Sequence, residues 1–128
     1  MLPYTSHVIK NICSGVPVIY FSTGTNGYLE LLPLAGGDVI GIDWRVDLAD
    51  AWSRLGHDVA IQGNMDPVVL LSSPEIVTDQ AIEILDKVAG WPGHIFNLGH
   101  GILPETSVDQ VLRLVDVVHE QSQKRKSP

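Results

Sequence analysis

Residues 94–106 read HIFNLGHGILPET, a short apolar run that ends at a histidine between two glycines. The run His94–Leu98 lacks regular polar alternation, so it predicts a strand that is covered on both faces. Three earlier runs are similar, and each of the four ends at a polar or glycine-rich turn, as strands that lead into loops do. The three earlier runs are Val18–Phe21, Val39–Ile42 and Val59–Gln62.

Helical patterns separate these runs. Residues 47–55 repeat apolar side chains at helical spacing, and so does the stretch from Ser73 to Gly90, where Pro74 suits the first helical position. Residues 25–36 predict a helix that Pro33 breaks or kinks. A further helix is predicted from about Tyr4 to Ile12.

The last predicted helix follows Ser107, with Gln110 at the spacing of a capping box. Its apolar residues repeat at helical spacing and predict the face that packs on the sheet. These residues are Val108, Val111, Leu112, Val115 and Val118.

One helix followed by four βα units predicts an α/β fold with a parallel sheet and right-handed crossovers. Such a sheet is either an open doubly wound sheet or half of a (β/α)8 barrel, and the pattern alone does not choose. In both architectures ligands bind at the carboxyl ends of the strands. Polar residues and glycines collect at those ends here, in residues 22–27, 43–45, 62–67 and 97–101.

Most of these residues have a structural interpretation beside a functional one. Asp43 is a candidate general base, or it caps the next helix or pairs with Arg45. Asn64 and Asp66, before a proline, are typical of a turn. The loop of residues 22–27 lacks the lysine and the spacing of a phosphate-binding loop.

His100 is the strongest candidate for chemistry. It follows a strand at the ligand end, and Gly99 and Gly101 permit backbone angles that are closed to other residues. A histidine there can transfer a proton or bind a carboxylate near neutral pH. The alternative is a histidine that is hydrogen-bonded within a turn. His94 is expected to be structural, and the remaining histidines are expected at the surface.

Composition limits the classes of partner. The net charge of −7 argues against general nucleic-acid binding. No run approaches the roughly 20 apolar residues of a membrane span. The single cysteine, Cys13, favours a reducing compartment such as the cytoplasm. No residues show metal-ligand spacing. Residues 1–120 are expected to form the folded part, and residues 121–128 a polar flexible tail.

Three blocks resemble the uroporphyrinogen decarboxylase family, cytoplasmic enzymes of tetrapyrrole (haem and chlorophyll) synthesis. Phe96–Glu105 (FNLGHGILPE) is similar to the C-terminal signature of the family. Val39–Trp44 (VIGIDW) and Ile61–Pro67 (IQGNMDP) are similar to two more blocks, in the family's order and spacing. Leu2–Tyr4 also matches a helix of the family, so the resemblance covers residue 2 to about 120.

The resemblance implies a (β/α)8 barrel, usually a homodimer, that uses no metal or organic cofactor. It implies conversion of the four acetate side chains of uroporphyrinogen to methyl groups, giving coproporphyrinogen and carbon dioxide. His100 matches a histidine of the family's substrate cleft and is the expected catalytic residue. The expected substrate-binding residues are His100, Gly99, Gly101, Asn97, Asp43 and Asn64.

The chain also departs from the family, whose full members are more than twice as long. By strand count it corresponds to about strands five to eight of the barrel. The family's arginine-rich loop and its aspartate, tyrosine and serine contacts are therefore expected in a missing N-terminal half. The expected partners are uroporphyrinogen and either that half or a second copy of the chain. Such a chain alone is expected to be inactive.

Two other interpretations stay open. The chain is either part of a decarboxylase or a non-catalytic half-barrel that serves as a binding or assembly module. A corrinoid- or zinc-dependent methyltransferase of the same superfamily is the third possibility. Those enzymes need thiolate and imidazole ligands, and Cys13, on the opening helix, is poorly placed to supply one.

Overall fold

The computed structural model describes residues 1–12 and 15–126, so Cys13 lies outside the described residues. Every predicted strand is present, each within a few residues of its predicted bounds. The helices and strands are α1 (Leu2–Lys10), β1 (Ile19–Phe21), β2 (Val39–Gly41), α2 (Leu48–Leu55), β3 (Ala60–Met65), α3 (Pro74–Lys87), β4 (His94–Leu98) and α4 (Val108–Lys126).

The strand order decides between the two architectures. The four strands are parallel and lie in the order β1-β2-β3-β4, so each strand pairs with the next one in the chain. Doubly wound sheets reverse their strand order at a switch point, and this sheet has no reversal. Successive right-handed crossovers in one direction place the connections on one face, as in a (β/α)8 barrel.

The two faces of the sheet are accordingly different. One face carries Ile40, Ile61 and Met65, which are buried beneath the helices. On the other face, Ile19, Phe21 and Ile95 are 46%, 42% and 43% exposed. We call this second surface the open face. The expectation of cover on both faces is therefore wrong for β1 and β4, because nothing in the described residues packs over their outer sides.

The segment after β1 differs from its prediction. Residues 25–36 form two 3₁₀ turns, Asn26–Leu31 and Pro33–Ala35, rather than an α-helix. The predicted break at Pro33 is confirmed, because the second turn begins there. A third 3₁₀ turn, Pro67–Leu71, follows β3.

The predicted inner face of α4 is wrong in part. Leu114 is the residue of this helix that is buried, and Val111, Val117 and Val118 are half-buried. The residues assigned to the core but exposed are Val108, Leu112 and Val115. The apolar stripe of α4 is wider than one face can bury, and a spacing pattern does not show which edge of it faces the sheet. A charged side chain in place of Val115 would therefore be exposed to solvent and not buried in the core.

The helix ends show which caps form. Asp47, not Asp43, caps α2, since its carboxylate accepts from Asp50 N at 3.0 Å. Ser107 Oγ accepts from Gln110 N at 3.3 Å, as predicted. The reciprocal half of the capping box is absent, because Gln110 Nε2 instead donates to Ser72 O at 2.7 Å.

The C-terminal segment is helical over its described residues, and the expectation of a polar flexible tail stays a prediction. Helix α4 continues through residues 121–126. Arg125 anchors this last part of the helix by an ion pair with Asp86 of α3.

Candidate active site

A hollow of about 410 Å³ lies on the open face, at the carboxyl ends of β1 and β4 and over the middle of β3. We call it the hollow. It is where the fold leads us to expect a ligand, because parallel strands gather their loops at that end. Its lining residues are Phe21, Gln62, Asn97, Leu98, His100, Gly101 and Ile102.

The floor of the hollow is a row of residues in register across the sheet. Phe21 pairs with Gly41, Gly41 with Gln62, and Gln62 with Ile95. Gly41 is buried because the Phe21 side chain lies over it, and a Cβ at position 41 would come within 2.8 Å of the Phe21 ring. The floor is therefore apolar except at Gln62.

His100 is exposed at the edge of the hollow, two residues beyond the end of β4. It is the one titratable side chain among the residues that line the hollow in the described part of the chain. No lysine or arginine lines the hollow there, so its polar groups are the amides of Gln62 and Asn97 and the imidazole of His100. Among these groups the imidazole is the one whose chemistry suits proton transfer.

The two glycines beside His100 have different roles, and neither uses the backbone freedom that a glycine permits. Neither Gly99 nor Gly101 has a positive φ. Gly99 is instead required by a close approach, since a Cβ there would lie 2.3 Å from Trp44 N. Its own N–H donates to Met65 O at 2.7 Å. Gly101 has open space around it and lines the hollow.

The contact with Gly99 belongs to a second structure, the loop of residues 43–46, which we call the rim loop. Asp43 is 1% exposed. Its carboxylate accepts from Gly24 N at 2.5 Å and from Arg45 N at 2.8 Å, and Arg45 Nη1 lies 3.8 Å away. The predicted pairing of Asp43 with Arg45 is confirmed, and its carboxylate is engaged by the protein itself.

Asn64 fixes the rim loop from below. It is buried at the end of β3, and its Nδ2 donates to Asp43 O at 2.9 Å and to Val46 O at 2.6 Å. Gly24, Asn64 and Gly99 thus tie the ends of β1, β3 and β4 to the loop that follows β2. The rim loop is a crosspiece at the top of the sheet in which Asp43 and Val46 are buried and Trp44 and Arg45 are exposed.

The structure therefore divides the predicted site residues into two groups. Asn97, His100 and Gly101 line the hollow. Asp43, Asn64 and Gly99 make their contacts within the rim. Sequence reasoning counted Gln62 among the polar residues at the ligand end but did not name it as a site residue, and it missed Phe21; both occupy the floor. The register of β1 with β3 across Gly41 was the missing information, because it places Phe21 and Gln62 on the same face.

The other candidates have structural contacts. Asp66 caps the 3₁₀ turn after β3 by accepting from Val68 N at 2.9 Å. The Trp44 ring lies 4.6 Å from the Arg45 guanidinium carbon. His94 Nε2 contacts Gly63 O at 2.7 Å, which confirms a structural role. Burial lowers the pKa of His94, although the Gly63 carbonyl opposes that effect.

The described residues also bear on metal ions and membranes. Within residues 1–12 and 15–126, no three or more histidine, cysteine or acidic side chains cluster as metal ligands would. None of the helices in those ranges combines the length and apolar character that crossing a bilayer requires.

Comparison with known proteins identifies the family. A family model described as uroporphyrinogen decarboxylase (URO-D) matches residues 1–121. The chain belongs to this family. Uroporphyrinogen decarboxylase of Carboxydothermus hydrogenoformans is 50% identical over 123 residues, which is 95% of this chain and 35% of that protein.

Two further relatives carry the same name. Uroporphyrinogen decarboxylase of Roseiflexus sp. (strain RS-1) is 48% identical, with 95% of this chain and 37% of that protein covered. The Sorangium cellulosum protein is 47% identical, with 91% and 34% covered. The chain thus spans about a third of the length of these relatives. The parallel sheet alternating with helices is part of the TIM barrel of this family, so the predicted fold class is confirmed.

Proposed function

We propose that this chain supplies His100 and the floor of the active site to a carboxy-lyase that converts uroporphyrinogen to coproporphyrinogen. The observation that carries the proposal is the hollow, where His100 and two side-chain amides face the open side of the sheet at its ligand end. Membership of the uroporphyrinogen decarboxylase family supports the choice of reaction. The proposal places the chain in tetrapyrrole (haem and chlorophyll) synthesis in the cytoplasm.

The chemistry required at each acetate side chain is the loss of carbon dioxide. The bond between the methylene and carboxyl carbons breaks, carbon dioxide leaves, and the methylene carbon takes up one proton to become a methyl group. His100 either delivers this proton or, when charged, binds a carboxylate and positions the acetate. In this proposal the reaction uses no metal or organic cofactor.

The same proposal holds that the chain needs a partner in order to act. Uroporphyrinogen carries eight carboxylates, while the described lining of the hollow contains no lysine or arginine. The cationic groups would come from segments that the longer relatives possess, supplied by an N-terminal part of the enzyme. A second copy of this chain is the alternative partner, and the complete enzyme is proposed to be a homodimer.

The test replaces His100 in a completed enzyme, made by fusing this chain to the part of the Carboxydothermus protein that it does not match. Coproporphyrinogen formation by His100→Ala should fall by about 10²-fold, the contribution typical of a positioned acid or base. His7→Ala, which changes an exposed histidine of α1, is the matched control and should have no effect. Turnover of His100→Ala within about threefold of the parent would show that the role of His100 is structural.

A second candidate function is a half-barrel that binds or assembles without catalysis. The observation that favours it is the pair of edge strands, β1 and β4, beside the exposed Ile19, Phe21 and Ile95. Exposed edges and apolar side chains of this kind favour association with another chain. We call the part of the Carboxydothermus protein that this chain does not match the completing segment. A complex of the chain with this segment that makes no coproporphyrinogen would favour this function over the lyase.

A further inference from the structure

Gln62 occupies an unusual place on the open face. It lies in β3, an inner strand, and pairs in register with Gly41 on one side and Ile95 on the other. The other residues of this row are Phe21, Gly41 and Ile95, none of which has a polar side chain. Gln62 is therefore a single polar group in an apolar strip at the centre of the sheet.

The side-chain amide of Gln62 has no hydrogen-bond partner within residues 1–12 and 15–126. The other amides at this end of the sheet are engaged, since Asn64 donates to two carbonyls and Asn97 Oδ1 accepts from Leu98 N at 2.9 Å. The nitrogen and oxygen of the Gln62 amide are not among the buried side-chain atoms without a partner in the described residues, so they are accessible from the hollow. The Gln62 amide thus has unused hydrogen-bonding capacity that faces the same hollow as His100.

We propose that Gln62 contacts the substrate, its Nε2 donating a hydrogen bond to a carboxylate oxygen of the porphyrinogen while His100 acts on an acetate above it. This inference rests on the proposed function and adds a residue to the site. Ligand pockets typically orient an apolar body with a few convergent polar groups, as Gln62, Asn97 and His100 are arranged here. Phe21 and Ile95 supply the apolar surface on either side of the amide.

The first test measures binding directly. The completed enzyme, labelled with ¹⁵N, is titrated with uroporphyrin, the oxidised and stable counterpart of uroporphyrinogen, and the side-chain amide signals are followed by NMR. The Gln62 Nε2 signals should shift, whereas those of Gln80, which donates to Glu83 on α3, should not. Unshifted Gln62 signals, with or without a shift at His100, would overturn the inference.

The second test measures turnover by the completed enzyme. Gln62→Met keeps the length of the side chain and removes its donor, so kcat/KM should fall by about tenfold to hundredfold, as for loss of a hydrogen bond to a charged group. The kcat/KM of Gln62→Glu should fall further, because a carboxylate at this position repels the carboxylates of the substrate. Gln80→Met is the matched control on α3 and should retain parental kinetics.

These readouts separate the inference from the function on which it rests. A fused parent that forms no coproporphyrinogen contradicts the lyase proposal, while the Gln62 signals still report contact with the tetrapyrrole. An active parent together with a Gln62→Met variant within about twofold in both kcat and KM overturns the inference and leaves the lyase proposal intact. The second result would mean that a side chain of the completing segment, not the substrate, engages the amide.

Discussion

The rim loop and the open face lie at the same end of the sheet, yet they are opposite in character. In the rim loop, the buried Asp43 carboxylate and the Asn64 amide that lies beneath it are paired with backbone groups of the protein. On the open face, apolar side chains are exposed and the Gln62 amide lacks a partner within the described ranges. The hydrogen bonds of the rim loop stabilise the end of the sheet, whereas the Gln62 amide on the open face is available to a ligand.

Gly99 and Gly101, on either side of His100, also differ in this way. Gly99 belongs to the rim, because the backbone of Trp44 leaves no room for a side chain there. Gly101 belongs to the hollow and has no neighbour within 4 Å of a Cβ. The glycines on either side of His100 are thus required for different reasons, one for packing and the other for access.

Gly99→Ala should give the largest loss of stability. Its methyl group would overlap Trp44 backbone atoms that Asn64 and Gly24 hold in place, so the free energy of unfolding should fall by about 3 kcal/mol, the upper part of the range for overpacking. Gly101→Ala is the matched control and should lie within about 1 kcal/mol of the parent. Urea unfolding of the completed enzyme at equal protein concentration measures both, and equal losses for the two variants would remove the distinction between rim and hollow.

Asn64→Leu should have a smaller effect. The substitution nearly preserves volume but leaves the carbonyls of Asp43 and Val46 without their donor, which should cost about 2 kcal/mol of unfolding free energy. Asn97, its partner in register on β4, is exposed and provides the matched control. Asn97→Leu should cost less than about 1 kcal/mol in the same urea titration. A greater loss for Asn97→Leu would mean that residues of the hollow, not those of the rim, contribute more to the free energy of unfolding.

The sequence predicted the strands and their parallel order well because these depend on local patterns. Short β-branched runs, glycine-bounded turns and a proline at the start of α3 are properties of adjacent residues. Pro33 interrupts a helical pattern, and the break occurs there. The family resemblance rested on three short blocks and is confirmed by the match over residues 1–121.

What the sequence did not predict depends on contacts between distant residues. The clash that requires Gly99 comes from Trp44, and the burial of Asp43 depends on Gly24 and Asn64. The rotation of α4 that buries Leu114 and exposes Val115 is set by tertiary packing, chiefly against α3. The pattern placed Gln62 among the ligand-end residues, but only the register across Gly41 puts it on the same face as Phe21.

The most direct test of the central claim, that the open face is an unfinished active site, is a uroporphyrinogen assay of this chain with and without the completing segment. Light scattering on the same samples reports assembly. We expect no coproporphyrinogen from the chain alone, which should associate or be only marginally stable, and measurable turnover once the segment is added as a separate chain. A stable monomer that decarboxylated uroporphyrinogen unaided would contradict the claim, because one imidazole and two amides would then suffice to bind a substrate with eight carboxylates.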